Sequence, residues 1–209
     1  MARYTFFTNP MSRGQIARWA LHEAGANYHQ VLVPWTNKPA ELLAANPMGK
    51  LPTIIDHAPE GDRVVSEAAA ICAYLADEHP EAGLAPREAE RADYYRWLFF
   101  TAGPLEQATA ARAQGWAPKD ARAEISLGFG TYRKTVDTLE DHFSRNAFVC
   151  GDRFTMADVY VGVAVDWGLT FGSLPPEPGF AAYAERIQRR EAYKAAKAID
   201  NALIQESRK

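Results

Sequence analysis

The sequence predicts an α/β N-terminal unit of order βαβ-α-ββα followed by an all-helical domain. Three observations carry this expectation. Short aromatic and β-branched runs alternate with helical text over the first third of the chain. From His79 to Pro86 the composition changes to Pro, Gly and acidic residues, as interdomain linkers do. Beyond that stretch every periodic segment reads as helix. The expected boundaries are 1–79 for the first domain, 80–86 for the linker and 87–209 for the helical domain.

Taken in order, Arg3–Phe7 is an aromatic, β-prone strand. Ser12–Ala24 is built of good helix formers and stops at Gly25. Tyr28–Val33 reads as a second strand, and the βαβ unit so formed implies a parallel pair with a right-handed crossover. Pro39–Ala45 is a short helix entered through proline. Thr53–Ile55 and Arg63–Val65 form a hairpin around a turn at Glu60-Gly61-Asp62. Ser66-Glu67 is placed to cap a helix over Ala68–Glu78.

In the second part, the aromatics of Arg87–Phe100 predict a helix buried on several faces, kinked or broken at Gly103-Pro104. Helical text resumes at Leu105–Gln114, and Lys119–Phe143 reads as a further helix loosened around Gly128-Phe129-Gly130. Thr155 and Asp158 have capping-box spacing, with Phe154 and Val159 at the flanking staple positions. The nearly all-apolar Val159–Leu169 belongs at the centre of its domain. Phe180–Arg190 and Ala192–Glu206 complete the helices, and Arg186, Arg189, Arg190, Lys194 and Lys197 read as a solvated basic stripe.

Composition narrows the classes of function. A hydrophobic fraction of 47% with 23% charged residues is that of ordinary globular chains. A formal net charge of −3 gives no general attraction to nucleic acid or to anionic lipid, so neither is an expected partner. No apolar run approaches the roughly 20 residues that span a bilayer. Cys72 and Cys150 stand far apart and outside any metal-ligand spacing, which argues against a disulfide scaffold or a metal site. The expected setting is the reducing cytoplasm.

The chemistry concentrates at Phe6–Gly14, where a strand turns into a helix. Asn9-Pro10 offers an N-cap followed by Pro at the first helical position, and Ser12 with Gln15 offers a capping box. Either places a hydroxyl where unpaired N–H groups and the positive end of the helix dipole converge, a place suited to an anion.

Four matches, in the right order and spread over most of the chain, make the sequence resemble the cytosolic glutathione transferases. Asn46-Pro47-Met48-Gly49-Lys50-Leu51-Pro52 is similar to that family's N-P-x-G-K/Q-x-P loop. Ser66-Glu67-Ala68-Ala69-Ala70-Ile71, with Tyr74-Leu75, is similar to its T/S-E-S-x-A-I-x-x-Y-L helix start. Thr155-Met156-Ala157-Asp158 is similar to its S/T-x-A-D capping box, and Asn9-Pro10-Met11-Ser12 to the turn of the serine-using classes. The resemblance implies a thioredoxin-like first domain, glutathione as co-substrate without a metal, a small electrophile as second substrate, and a homodimer formed through both domains.

The resemblance also implies roles. An unperturbed thiol has a pKa of about 8.5, and the thiolate is the nucleophile. Ser12 is the candidate catalytic residue, a hydroxyl that stabilises the bound sulfur anion, with Asn9 in reserve; capping its own helix is the alternative role for Ser12. The positions where redox relatives of this topology carry C-P-x-C are occupied by Asn9 and Ser12, so disulfide exchange through a protein thiol at this turn is excluded. Pro52 is expected to be cis, turning the Leu51 N–H and C=O toward the cysteinyl backbone of glutathione. Glu67 and Ala68 begin a helix able to receive the γ-glutamyl carboxylate, although Ala68 lacks the family's serine hydroxyl. Lys38, with Asn37 beside it, and Lys50 are candidates for the glycyl carboxylate. Met11, Trp35, Phe100 and Trp116 are candidate walls of the electrophile pocket. A glutathione-binding or ligand-carrying protein with little turnover is the rival reading that Ala68 keeps open. A glutathione-dependent peroxidase, isomerase or dehalogenase is another, and the S-S-C-S turn of the maleylacetoacetate isomerases is absent.

Overall fold

The computed structural model describes residues 2–208. They contain strands β1 (Tyr4–Thr8), β2 (Tyr28–Leu32), β3 (Thr53–Ala58) and β4 (Gly61–Ser66). The helices are α1 (Gly14–Glu23), α2 (Ala40–Ala45), α3 (Ala68–Glu78), α4 (Arg91–Phe100), α5 (Glu106–Ala113), α6 (Ala121–Ser126), α7 (Tyr132–Arg145), α8 (Met156–Phe171), α9 (Pro178–Gln188) and α10 (Glu191–Glu206). The chain divides into two compact units, Met1–Ala85 with Arg189–Lys209, and Pro86–Gln188.

The first unit is organised on one sheet of order β2-β1-β3-β4. β1 runs parallel to β2, from Tyr4↔Tyr28 to Thr8↔Leu32, and antiparallel to β3, from Tyr4↔Asp56 to Phe7↔Thr53. The parallel pair needs a crossover, and α1 supplies it. Alternation along β1 sends Phe7 to one face, where it clusters with Val33, Leu42 and Ile55. Tyr4 and Phe6 share the opposite face, where the Arg18 guanidinium of α1 lies 5.4 Å from the Phe6 ring centre. Both Tyr4 and Phe6 are buried.

The hairpin turn is shorter and begins one residue earlier than the sequence suggests. Ala58 pairs with Gly61, so Pro59 and Glu60 form the turn in place of Glu60–Asp62. The longer strands are stitched beyond Ile55 by a 2.8 Å contact between His57 Nδ1 and Asp62 Oδ1. α3 spans Ala68–Glu78 as expected, yet among the described residues no side chain caps it: Glu67 stands at the N-cap in the left-handed region (φ 65°). The expected Ser66-Glu67 cap is therefore not formed.

Residues 189–209, which the sequence places with the helical domain, cluster with the sheet unit. α10 lies along α1, where the Trp19 and Tyr193 rings meet edge to face at 5.1 Å. Arg190 makes a two-pronged ion pair with Glu23, both bonds 2.6 Å, and Arg18 Nε donates to Asp200 Oδ1 at 2.9 Å. The basic stripe is thus not simply solvated. Arg190 and Lys197 bond to α1, and Arg186 donates to the Ala147 carbonyl within the second unit.

In the second unit, α4 buries Tyr94, Trp97 and Leu98, while Phe99 is 72% exposed. It therefore buries one side only, because positions 94, 97, 98, 101 and 105 form one stripe. Gly103-Pro104 does not end the helix. A π-helical turn over Thr101–Leu105 carries α4 directly into α5, its wider spacing absorbing the amide that Pro104 lacks. The segment 119–143 is two helices, α6 and α7, capped by Asp120 and Thr131. The glycines at 128 and 130 lie in the break between them. α8 is the central helix, buried along most of its length. Its Asp158 carboxylate accepts from the amides of Thr155 (2.8 Å) and Val149 (2.7 Å) and from the Tyr183 hydroxyl (3.0 Å). Burial pushes this carboxyl up to about 6, against the pull of those donors.

The entry to α4 is tied to the loop before α8 by Glu90, which accepts from Arg153 Nε at 2.9 Å and from the Arg87 amide at 2.7 Å. The Arg153 bond is the largest influence on Glu90 and lowers its pKa from 4.5 to about 2. A depressed carboxylate stabilises the fold above its unfolded pKa, and that contribution disappears as the pH falls from about 4.5 to 2. Allowing for partial exposure, the loss should be about 2 kcal/mol over this window. Denaturant unfolding at pH 5 and pH 2.5 should show Glu90→Gln less stable than the native chain at pH 5, with most of that difference gone at pH 2.5.

Candidate functional site

One edge of the first unit's sheet gathers the candidates. The register places Phe7 opposite Thr53, and Thr53 opposite Ser66, in a single row across three strands. The turn after β1, the loop before β3 and the turn after β4 therefore leave the sheet on the same side. Thr8 pairs with Leu32, so the segment that begins at Val33 leaves there too. This row brings Ser12, Leu51-Pro52, Glu67-Ala68 and Lys38 to one edge, although 55 positions separate Ser12 from Glu67.

The turn 9–14 closes on itself through its own polar groups. The Asn9 carbonyl accepts from the Ser12 amide (3.0 Å) and from the Ser12 hydroxyl (2.7 Å). Asn9 Oδ1 accepts from the Met11 amide at 3.0 Å, and Asn9 Nδ2 donates to the Val33 carbonyl at 3.0 Å. The Gly14 amide donates to Ser12 Oγ at 2.9 Å, and Gln15 Nε2 donates to the Pro10 carbonyl at 2.5 Å. The helix consequently starts at Gly14 with Arg13 as its N-cap, rather than at Asn9-Pro10 or Ser12. The Ser12–Gln15 capping box is replaced by two separate bonds, because the Gln15 side chain reaches Pro10 in place of the Ser12 backbone. Asn9 is a buried strut joining the turn to the end of β2, which leaves its amide less free to turn outward than Ser12.

Gly14 is required by a close approach. A methyl group built there would stand 2.1 Å from Thr8 Oγ1 and 3.1 Å from Thr8 Cβ. The helix start thus crosses directly over the last residue of β1. Sequence reading missed this crossing; the one local signal is a glycine at a helix start, where it is intrinsically poor.

The loop before β3 is held from within. Asn46 Nδ2 donates to Thr53 Oγ1 at 3.1 Å, and Thr53 Oγ1 donates to the Lys50 carbonyl at 3.1 Å. The Leu51–Pro52 bond is cis. Among the described residues, the Leu51 backbone N–H and C=O meet no partner. Lys38 donates from Nζ to the Gly49 carbonyl, so it braces this loop, while Asn37 beside it adopts φ 57°. Lys50 is exposed. At the start of α3, the amides of Ala68, Ala69 and Ala70 meet no acceptor among the described residues, an open helix N-terminus suited to a carboxylate.

Of the proposed pocket walls, Met11 (54%) and Trp35 (57%) are exposed on the first unit. Trp116 is 72% exposed on the second, and Phe100 is half-buried there with its ring 5.1 Å from that of Trp97. Cys72 is fully buried and its thiol pKa is driven well up by desolvation; burial likewise raises Cys150 to about 12. Neither is an activated nucleophile.

Comparisons with known proteins agree with this geometry. Residues 11–78 match the glutathione S-transferase N-terminal domain, and residues 110–167 match the glutathione S-transferase C-terminal domain. The chain is 32% identical over 202 residues to glutathione S-transferase 3 of Zea mays, covering 90% of this chain and 87% of that protein. A glutathione transferase structure from Methylococcus capsulatus superposes with a TM-score of 0.75 at 26% identity, over 95% of this chain and 99% of that one. A sphingomonad glutathione S-transferase solved with glutathione gives 0.73 at 26% identity, over 94% and 98% of the two chains. The mixed four-stranded sheet with its crossing helices is a thioredoxin-like unit, followed by a helical one. The chain belongs to the glutathione S-transferase family.

Gly14→Ala should destabilise the protein by about 2 kcal/mol or more through overpacking against Thr8. Thr8 Oγ1 is buried without a partner, so Thr8→Ala alone should be nearly neutral. The double variant, which removes the closest clash, should melt above Gly14→Ala; thermal unfolding of the three variants measures this coupling.

Proposed function

We propose that this protein is a glutathione transferase that holds the tripeptide along the sheet edge described above and activates its thiol at the Ser12 turn. The single observation that carries the reading is the row Phe7↔Thr53↔Ser66, which aligns the turn, the Leu51 backbone and the α3 N-terminus on one side. Leu51 pairs with the cysteinyl backbone as an added strand would, and the α3 amides at Ala68 receive the γ-glutamyl carboxylate. Lys50 faces the glycyl carboxylate, and Lys38 holds the Gly49 carbonyl in place beside it.

In the ligand-free turn the Ser12 hydroxyl donates to the Asn9 carbonyl. When the sulfur arrives, that proton turns to the thiolate, while the Asn9 carbonyl keeps the Ser12 amide as donor. The hydroxyl stays anchored as acceptor from Gly14, so the group that approaches sulfur is oriented before binding. The thiolate then attacks an electrophile, and exposed Met11 and Trp35 on the same unit favour an apolar one. The two cysteines are unbridged, as suits a reducing cytoplasm. Exposed Met48 and Val64 of the first unit support a homodimer, whose mass sedimentation would measure. The internal bond of Ser12 also favours a second reading, a glutathione carrier with little turnover, in which Ser12 only shapes the turn.

Titration of the ultraviolet thiolate band of bound glutathione separates the two. In the native protein the thiol pKa should fall one to two units below the free value of about 8.5, and in Ser12→Ala it should return toward it. Equal titration curves would leave Ser12 a structural residue. Calorimetry showing no glutathione binding in the millimolar range would overturn both readings.

A further inference from the structure

The serine turn is braced from the far end of the chain. Gln15, in the first turn of α1, donates from Nε2 to the Pro10 carbonyl at 2.5 Å. Its Oε1 accepts from Lys197 Nζ of α10 at 3.0 Å. The amide orientation is set by chemistry, because a carbonyl needs a donor and an ammonium needs an acceptor. Among the described residues, Gln15 Nε2 is the donor that the Pro10 carbonyl has, and Pro10 lies between Asn9 and Ser12. An ammonium on Oε1 draws electron density through the amide and strengthens donation from Nε2. The chain of contacts thus runs from a positive charge on α10 to the backbone of the turn that carries the Ser12 hydroxyl.

The platform for this chain is rigid. Within the same unit Arg18 and Asp200 form an ion pair in which each side chain is 1% exposed. Arg18 Nη1 also donates to the Tyr28 hydroxyl and to Gln30 Oε1, both at 3.0 Å. One turn of helix beyond Lys197 towards the N-terminus, Tyr193 packs on Trp19, and Arg190 pairs with Glu23. Lys197 is therefore presented to Gln15 by a helix already locked on both sides of it.

We propose that Gln15 and Lys197 are positioning residues for thiolate activation, holding the Pro10 carbonyl so that the Ser12 hydroxyl lies in register with the bound sulfur. The inference rests on the glutathione transferase reading above. It goes beyond it by giving the C-terminal helix a part in the chemistry of the first domain.

Gln15→Glu separates positioning from mere attachment. The glutamate keeps an acceptor for Lys197, and gains an ion pair to it, yet cannot donate to the Pro10 carbonyl. Positioning predicts a kcat about fivefold to tenfold lower, a bound-thiol pKa displaced toward the free value, and a KM for glutathione changed less than twofold. Its melting temperature should hold or rise. Lys197→Met should show the same kinetic loss, and Lys197→Arg, which retains a donor, should restore most of it. Arg190→Met, which loosens α10 away from the turn, should lower the melting temperature with the thiol pKa unmoved. A native-like kcat and thiol pKa in Gln15→Glu would overturn the proposal even if Lys197→Met fails to fold. Absence of a lowered thiol pKa in the native protein would instead overturn the transferase reading and this inference with it.

Discussion

The first unit depends on a single strand being hydrogen-bonded on both edges and covered on both faces. β1 lies between β2 and β3, and Tyr4, Phe6, Phe7 and Thr8 are buried. Its C-terminal end is consequently a fixed point, since a one-residue slip would turn Phe7 and Phe6 to the wrong faces at once. From that point the chain has one way out, over Thr8 and into α1, and the crossing is so close that position 14 has no room for a side chain. The position of Ser12 follows from β1 pairing before any local preference of the turn is consulted.

The turn proposed as the reactive site is also a piece of backbone that closes on itself. The carbonyl and both side-chain polar atoms of Asn9 have protein partners, and Ser12 Oγ both donates and accepts within the turn. On the proposed function, a bound sulfur competes with one weak neutral bond, that from Ser12 Oγ to the Asn9 carbonyl. The competition favours an anion, because a charge-assisted hydrogen bond is roughly twice as strong as a neutral one. On that proposal, selectivity for a thiolate over a thiol resides in the ligand's charge.

The same economy appears where charges are buried. Arg18 and Asp200 lie out of water, and their worth is in fixing how α10 sits on α1 more than in net stability. Glu23–Arg190, Trp19–Tyr193 and Gln15–Lys197 add to the same interface. In the second unit Asp158 plays a comparable organising part at the start of α8, joining it to Val149 and Tyr183.

By itself the sequence determined the elements whose causes are local. α3 runs over the residues read for it, because its ends are marked by a strand exit and a loss of helix formers; α8 begins at its capping pair; the βαβ order follows from short periodic runs. The motif residues Ser12, Leu51-Pro52 and Glu67-Ala68, far apart in the chain, are brought by the strand register to one edge. Only the tertiary structure decided what those residues bond to. Ser12 and Gln15 have the spacing of a capping box, yet Gln15 is drawn to Pro10 and to a lysine 182 positions away. Arg190 reads as a surface charge and turns out to grip Glu23. Gly103-Pro104 reads as a break, and the packing of one continuous stripe keeps the helix going through a wider turn. The physical reason is common to all three: propensity and capping act over a few residues and are written in the sequence, whereas a partner brought close by the fold leaves no mark near the residue that meets it.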